Sequence, residues 1–455
     1  MPGLSPLSRL SGRLSFRAAE RTAAAIGRVE ALSDEAVGRI FTRFDAVKVM
    51  RAAEALDRDP TLRQGPLAGL TISIKDLFDE AGEITTAASV YLADRAPAEA
   101  DAAAVARLKS AGAIPFGRTT MSEFAYSGVG LNPHFGTPGN SHDPLRIPGG
   151  STSGGALSVA LGLADVALGS DTGGSVRIPA AFNGLAGFKP TQAKVPLDGA
   201  FPLSQSYDSV GPLARDIRTC AGVHAVLSGE SPPTSPRLAA KGLRIGVVRT
   251  VLTEGLDGQV AADFAAALQA LTDNGVELVD VDMPALTTAG AINRVIVGSE
   301  AYRVHADHLD ALARVGDARV LRRIMAAASF APGEEKQARV ERSAAQVAFV
   351  GLAADFDAFI APTIPVVPPL IAEVEADYDR LNALVLRNPS TVNCLDGCAA
   401  TIPMQAAGSL PTGLMVFGPG GADWDILAIA QCFEPLAGLL RLEHPANNLD
   451  RRIPI

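Results

Sequence analysis

Residues 149–191 read GGSTSGGALSVALGLADVALGSDTGGSVRIPAAFNGLAGFKPT, and this stretch constrains the fold most tightly. It opens on a Gly/Ser knot, continues as small residues that predict a helix over 156–163, and carries a short apolar strand over 166–168. A second Gly knot follows, Asp171-Thr172-Gly173-Gly174-Ser175. Two hydroxyl-rich turns are thus held a set distance apart by a buried helix and strand. Glycines let the backbone approach a ligand closely and turn N–H groups towards one point. That is a way to build an oxyanion site with a serine at its centre.

Composition narrows the rest. A chain of 455 residues accommodates one large domain or two to three ordinary ones. With 47% hydrophobic and 20% charged residues it reads as an ordered, soluble globular protein. A formal charge of −9 argues against a nucleic-acid-binding surface, because phosphate contacts need a basic footprint. Cys220, Cys394, Cys398 and Cys432 are scattered; on a helix, Cys394 and Cys398 would share a face. With no CxxC or HExxH among them and the six histidines, no metal site is expected. Free, mostly buried thiols and the lack of a long apolar run or signal-like start give a cytoplasmic expectation with no membrane span. Arg9, Arg13, Arg17 and Arg21 recur every four residues and read as a solvated basic face.

Taken in order, residues 1–60 read as an N-terminal helical arm and 61–455 as the main domain, with a mainly helical insertion at about 284–355. Residues 67–74 (LAGLTISI) form a strand leading into Lys75 and Asp76. A lysine rarely ends such an apolar run unless it is paired or neutral. A helix over 101–111, a stop at Gly112 and a strand over 113–117 set an α/β rhythm. Thr120 and Glu123 have capping-box spacing, and the loop 127–148 is long enough to be functional. Residues 228–236 (SGESPPTSP) form a linker. Strands are expected over 243–248, 276–283, 356–361 and 413–417, and helices over 260–271, 297–315, 334–353 and 424–433.

Residues 149–191, through GSDTGGSVRIPA and GxxGFKPT, together with GPLAGLTISIKD at 65–76, resemble the amidase-signature family of serine hydrolases. The resemblance spans most of residues 60–455. It implies an α/β amidase-signature fold, a mixed central β-sheet surrounded by helices. It also implies Ser175 as nucleophile, Ser151 as a proton-relaying serine after a cis Gly150–Ser151 bond, and Lys75 as base. Ser151 stands 24 residues before Ser175, the family's spacing. The knot reads GGSTSGG, so Ser153 is a rival for the relay; spacing favours Ser151, leaving Ser153 to hold the turn by hydrogen bonding. Lys75 must be neutral to accept a proton, and burial lowers a lysine pKa. The N–H groups of Thr172, Gly173, Gly174 and Ser175 are the oxyanion-hole donors, and Asp171 and Arg177 are read as buried supports of the knot.

The activity implied is hydrolysis of a carboxylic or urea-type amide to acid and ammonia or amine through a Ser175 acyl-enzyme, without a cofactor. Residues 124–135 (FAYSGVGLNPHF) should line the acyl pocket, with Tyr126 and Gly128 as substrate-binding residues. The alternatives are a glutamine amidase subunit of a transamidating complex, which needs a small partner subunit, and a non-catalytic amide-binding protein. A homodimer is compatible with the family. No GxSxG elbow, Walker loop or GxGxxG fingerprint competes. The histidines His134, His142, His224, His305, His308 and His444 read as surface or satisfied core residues, with a pocket role open for His134 or His142.

Overall fold

The strand-forming runs of this chain are short and apolar on both faces, the pattern of a sheet covered by helices on either side. In the computed structural model, which describes residues 17–232 and 239–437, they form one mixed sheet of 11 strands. The strands are β1 (Phe41–Arg43), β2 (Thr71–Lys75), β3 (Ile114–Thr119), β4 (Val166–Ser170), β5 (Ala186–Lys189), β6 (Val210–Ala214), β7 (Arg244–Val248), β8 (Glu277–Val281), β9 (Ala358–Pro362), β10 (Cys398–Pro403) and β11 (Gly413–Gly418). Their order is β1-β3-β2-β4-β6-β5-β10-β11-β9-β7-β8. Every residue of β2, β4, β5, β6, β9 and β11 is buried.

Strand direction decides where the site falls. β2 runs parallel to both β3 and β4, whereas β6 returns antiparallel to β4. Lys75 at the end of β2 and Ser170 at the end of β4 therefore emerge on the same edge. The carboxyl ends of parallel strands, beside a change of direction, are where open α/β sheets hold their ligands.

The N-terminal segment is not wholly helical. Helices Ala18–Glu30, Asp34–Ile40 and Ala46–Arg58 are joined by β1, which pairs antiparallel with β3 at the sheet edge. Phe41 is buried there with Ile26, Val29, Ile40 and Phe116 in a cluster of their own. A short run such as Phe41-Thr42 takes strand geometry once an open edge is offered, which propensity by itself does not foretell. Of the basic stripe, Arg17 is exposed as a solvated face requires, whereas Arg21 departs from it by pairing with Asp165 at 3.3 Å. Arg9, Arg13 and His444 lie outside the described residues, as do 233–238 of the linker.

Other boundaries differ for tertiary reasons. The expected helix over 297–315 is instead Leu286–His305, followed by a 3-10 turn (Ala306–His308) and Leu309–Val315. Its first turns are rich in Thr and Gly, yet buried Ala289, Ile292 and Ile296 keep a helical spacing that packing enforces. The helix expected over 156–163 begins earlier, at Ser153, and ends at Ala160. β5, β6, β10 and the helices Ile217–Ser228 and Tyr378–Cys394 were not anticipated. Cys394 ends that last helix and Cys398 opens β10, so the two share no helix face. The helix Glu334–Ala353 matches its expected bounds.

Gly154 joins the N-terminal segment to the signature helix. Its N–H donates to the Thr120 carbonyl at 3.1 Å, and a Cβ there would lie 2.2 Å from the Ile40 carbonyl oxygen and 2.6 Å from Thr120 Oγ1. Backbone on that side cannot swing away like a side chain. Gly154→Ala is expected to destabilise the protein by about 2 kcal/mol or more, an overpacking effect. A denaturant midpoint equal to that of the unmodified protein would refute this.

Candidate active site

Lys75 closes an apolar strand and is fully buried. Its Nζ lies 2.7 Å from Ser151 Oγ and 2.8 Å from Ser170 Oγ, with the Ser170 carbonyl at 3.5 Å. The Gly150–Ser151 peptide bond is cis. Thr152 N–H donates to the Ser175 carbonyl at 3.3 Å, so the two knots are clasped directly. Ser175 itself is 3% exposed, at the turn before the helix Arg177–Phe182. Ser153 is a helix residue whose Oγ is buried without a protein partner. It therefore does not hold the turn by hydrogen bonding.

The second knot is built on Asp171. Its carboxylate accepts from Gly174 N at 2.7 Å and Val176 N at 3.2 Å, and from Arg177 Nε and Nη2 at 3.0 Å each. Asn393 completes the set: Nδ2 donates to Asp171 Oδ1 at 3.0 Å, and Oδ1 accepts from Arg177 Nη2 at 2.6 Å. Burial opposes the charge on Asp171, but the adjacent Arg177 guanidinium outweighs it and holds the carboxyl well below its ordinary range. This pairing revises the oxyanion expectation at one position. The Gly174 N–H is committed to Asp171, whereas those of Thr172, Gly173 and Ser175 meet no protein acceptor among the described residues.

Electrostatics around Lys75 run in opposite senses. Burial pushes its pKa down to about 7, and the carboxylates Asp171 and Asp208 pull it back only in part. Asp208 is itself raised to about 6 by burial, although it accepts from Thr172 Oγ1 at 2.5 Å and from the N–H groups of Leu203 and Ser204. Close to neutrality the lysine is thus poised between its two forms, where a proton acceptor is most useful. Ser170, Asp208 and Asn393 were missed from sequence. Ser170 sits inside the signature, next to Asp171, and could have been found there. Asp208 and Asn393 arrive from a loop and a distant helix, and carry no local signal.

The loop 127–148 is pinned by its asparagines. Asn132 Nδ2 donates to the Ala88 and Met121 carbonyls, and Asn140 Nδ2 to that of Phe182. Gly128 reaches the first knot: its carbonyl accepts from Gly150 N at 2.8 Å, and its N–H donates to Asn382 Oδ1 at 2.8 Å. Tyr126 stands two residues back, its ring beneath the Arg323 guanidinium. Thr120 and Glu123 form no capping box. Thr120 Oγ1 donates to the Arg39 carbonyl, while the Glu123 carboxylate accepts from Ser89 Oγ and Asp317 N, both at 2.6 Å, and meets His134 at 2.9 Å. Buried polar groups at a strand end take whatever tertiary partners the fold supplies. His224 also departs from expectation: it is buried between Phe188 and Trp424 with neither ring nitrogen paired, and burial pushes its pKa down to about 4. A cavity of about 630 Å³ lies behind Phe124, bounded by Phe201, His305 and His308, but Lys75, Ser151 and Ser175 do not line it.

A mixed sheet with a buried lysine and two glycine-serine knots at its strand ends defines an α/β amidohydrolase of amidase-signature architecture. The Amidase family model matches residues 20–427, and the chain belongs to that family. It acts on amide C–N bonds, as the family does. It is 34% identical over 414 residues to the 2-amino-5-chloromuconic acid deaminase of Comamonas testosteroni, covering 88% of each chain. It is 32% identical over 478 residues to a glutamyl-tRNA(Gln) amidotransferase component of Salinispora tropica, covering 95% of this chain and 96% of that one. A crystal structure of an amidase superposes with a TM-score of 0.84 at 31% identity, over 96% of this chain and all of the other. Among the described residues no helix is long and apolar enough to cross a membrane.

Proposed function

We propose that the protein hydrolyses a small carboxylic amide to the acid and ammonia through a Ser175 acyl-enzyme. The observation that carries this reading is the buried contact of 2.7 Å between Lys75 Nζ and Ser151 Oγ, with burial pushing the lysine to about 7. Neutral Lys75 takes the Ser151 proton as Ser151 takes that of Ser175, and Ser175 Oγ bonds to the carbonyl carbon. The oxyanion that forms is met by the N–H groups of Thr172, Gly173 and Ser175. The relay then runs in reverse, the amine leaves protonated, and water cleaves the ester by the same route. Ser170 holds Lys75 in place, and Gly128 and Tyr126 border the acyl group.

The resemblance to an amidotransferase component over 95% of the chain supports a second reading, glutamine hydrolysis within a complex. One assay separates the two. The purified chain alone is expected to release ammonia from simple aliphatic amides at rates well above those with glutamine. Release from glutamine only, and only in the presence of a partner protein, would favour the second reading. No release from any amide would sink the first.

A further inference from the structure

We propose that Glu300 is a positioning residue for the reaction: with Arg339 it latches the turn 204–209, which carries Asp208 and braces the Ser175 knot; this rests on the amide-hydrolase reading above. The turn grips the knot on its inner side. Asp208 Oδ1 accepts from Thr172 Oγ1 at 2.5 Å. The Ser209 carbonyl accepts from Asp171 N at 2.8 Å, and Ser209 Oγ donates to the Asp171 carbonyl at 2.8 Å. The turn is also closed on itself. The N–H groups of Tyr207 and Asp208 donate to the Ser204 carbonyl at 2.9 and 2.8 Å, while Asp208 Oδ2 accepts from Leu203 N at 2.9 Å and Ser204 N at 3.1 Å. Ser204 and Asp208 therefore move together, and Thr172 is tied to both.

On its outer side the turn is held by two helices. Glu300, buried on the helix Leu286–His305, accepts at Oε2 from Ser204 Oγ at 2.5 Å and Ser206 N at 3.0 Å, and at Oε1 from Ser206 Oγ. Arg339, on the helix Glu334–Ala353, donates Nη2 to Glu300 Oε1 at 2.6 Å and Nη1 to Ser206 Oγ at 2.9 Å. Glu335, paired with Arg339 and Arg303, completes the charged set. Three residues further along the same helix, Arg342 donates Nη1 to the Ser206 carbonyl and Nη2 to the Asn393 carbonyl, both at 3.1 Å. Asn393 is the residue that bonds Asp171. Burial opposes the charge on Glu300, but the serine donors and Arg339 hold its carboxyl below the ordinary range. A carboxylate offers acceptor sites only, which suits a set made entirely of donors. Glu300→Gln turns an amide NH2 towards part of that set and leaves donors unmatched.

The latch reaches the chemistry through Asp208. Asp171 and Asp208 are the carboxylates that act on Lys75. Lys75 itself is held by Ser151 and Ser170, neither of which belongs to the turn. Loosening the turn thus withdraws one carboxylate from the lysine while leaving the lysine buried. It also frees Thr172, whose N–H meets the oxyanion in the reading above. Glu300 touches none of the reacting atoms and acts only through these two residues.

The test reads Ser175 without an amide, by its labelling with phenylmethanesulfonyl fluoride, followed by mass spectrometry at a series of pH values. Ser175 Oγ bonds to sulfur, fluoride leaves, and the proton passes through Ser151 to Lys75. In the unmodified protein the labelling rate is expected to rise with pH through about 7. Glu300→Gln should slow labelling about 10-fold, the scale of a lost hydrogen bond to a charged group, and move the midpoint down. Glu300→Asp, which keeps the charge, should recover part of both. In Asp208→Asn protein, Glu300→Gln should move the midpoint no further, because both act through one carboxylate. Leu271→Ala, a core truncation in the helix Gly258–Asp273, should lower the melting temperature and leave the midpoint in place. Should Glu300→Gln fail to fold, Ser204→Ala removes one arm of the latch and is expected to give the same shift in smaller measure. An unmoved or raised midpoint in these latch variants, an equal shift in Leu271→Ala, a further shift beyond that of Asp208→Asn, or no labelling of Ser175 would each overturn the latch. Ammonia release is scored separately. Glu300-dependent labelling without ammonia release from any amide would sink the hydrolase reading and leave the latch standing.

Discussion

Replacing Ser175 by alanine is expected to reduce ammonia release from the preferred amide by on the order of 10⁴-fold or more, with little change in the melting curve. The size follows from losing the nucleophile of a group that acts as a unit, which leaves only oxyanion and binding contributions. The small change in stability follows from the local structure. The packing contact between knots uses the Ser175 carbonyl, which alanine keeps, and the turn is held by Asp171, Arg177 and Asn393. Intact-mass measurement during turnover should show an acyl adduct on the unmodified protein and none on the variant. Full activity in Ser175→Ala would remove the serine from the chemistry and return attention to Ser151.

A second large effect is expected in the pH profile. If neutral Lys75 is the base, kcat/KM rises with pH through an apparent pKa of about 7, because burial has moved the lysine there from its ordinary 10.5. Lys75→Met should lower activity by on the order of 10³-fold and remove this limb. Asp208, raised to about 6, faces the same cluster and titrates on the acid side of it. Asp208→Asn separates the two: a lysine-controlled limb persists in that variant with its midpoint moved down, because the Asp208 carboxylate that raises the lysine is gone. A limb that disappears with Asp208→Asn would reassign the base.

The same shift has a consequence for stability with a definite sign. In the folded state the lysine loses its proton near pH 7, whereas in the unfolded chain it keeps it up to about 10.5. Between those values the unfolded state binds more protons, so this group's contribution to stability rises with pH across that window. Below pH 7 the penalty for charging a buried lysine is fully present. Above 10.5 it is gone.

How much of the site was legible depends on how each residue is delivered. Lys75, Ser151 and Ser175 sit in contiguous motifs, and the resemblance those motifs carry names them as a set; of the three, the structure brings Lys75 Nζ and Ser151 Oγ to 2.7 Å. The supports could not be named that way. Asn393 reaches Asp171 from the end of the helix Tyr378–Cys394, and Asp208 reaches Thr172 from a loop 36 residues later in the chain. Neither has a spacing that marks it. The Gly174 N–H was assigned to the oxyanion from motif position, and only the fold reveals that Asp171 already holds it.

The elements divide in the same way. Helix Glu334–Ala353 and strands β4 and β7 carry their period or apolar run locally and were readable. β1, β5, β6 and β10 were not, because each is a strand by virtue of the neighbour it pairs with. By itself the sequence determined the two knots, the buried helix and strand between them, and the lysine at the end of an apolar strand, since these follow from local backbone freedom and hydrophobic pattern. Only the tertiary structure decided that β2 and β4 lie side by side and parallel. That pairing, set by packing between segments about 95 residues apart, brings Lys75, Ser151 and Ser170 within hydrogen-bonding distance and buries the lysine deeply enough to move its pKa.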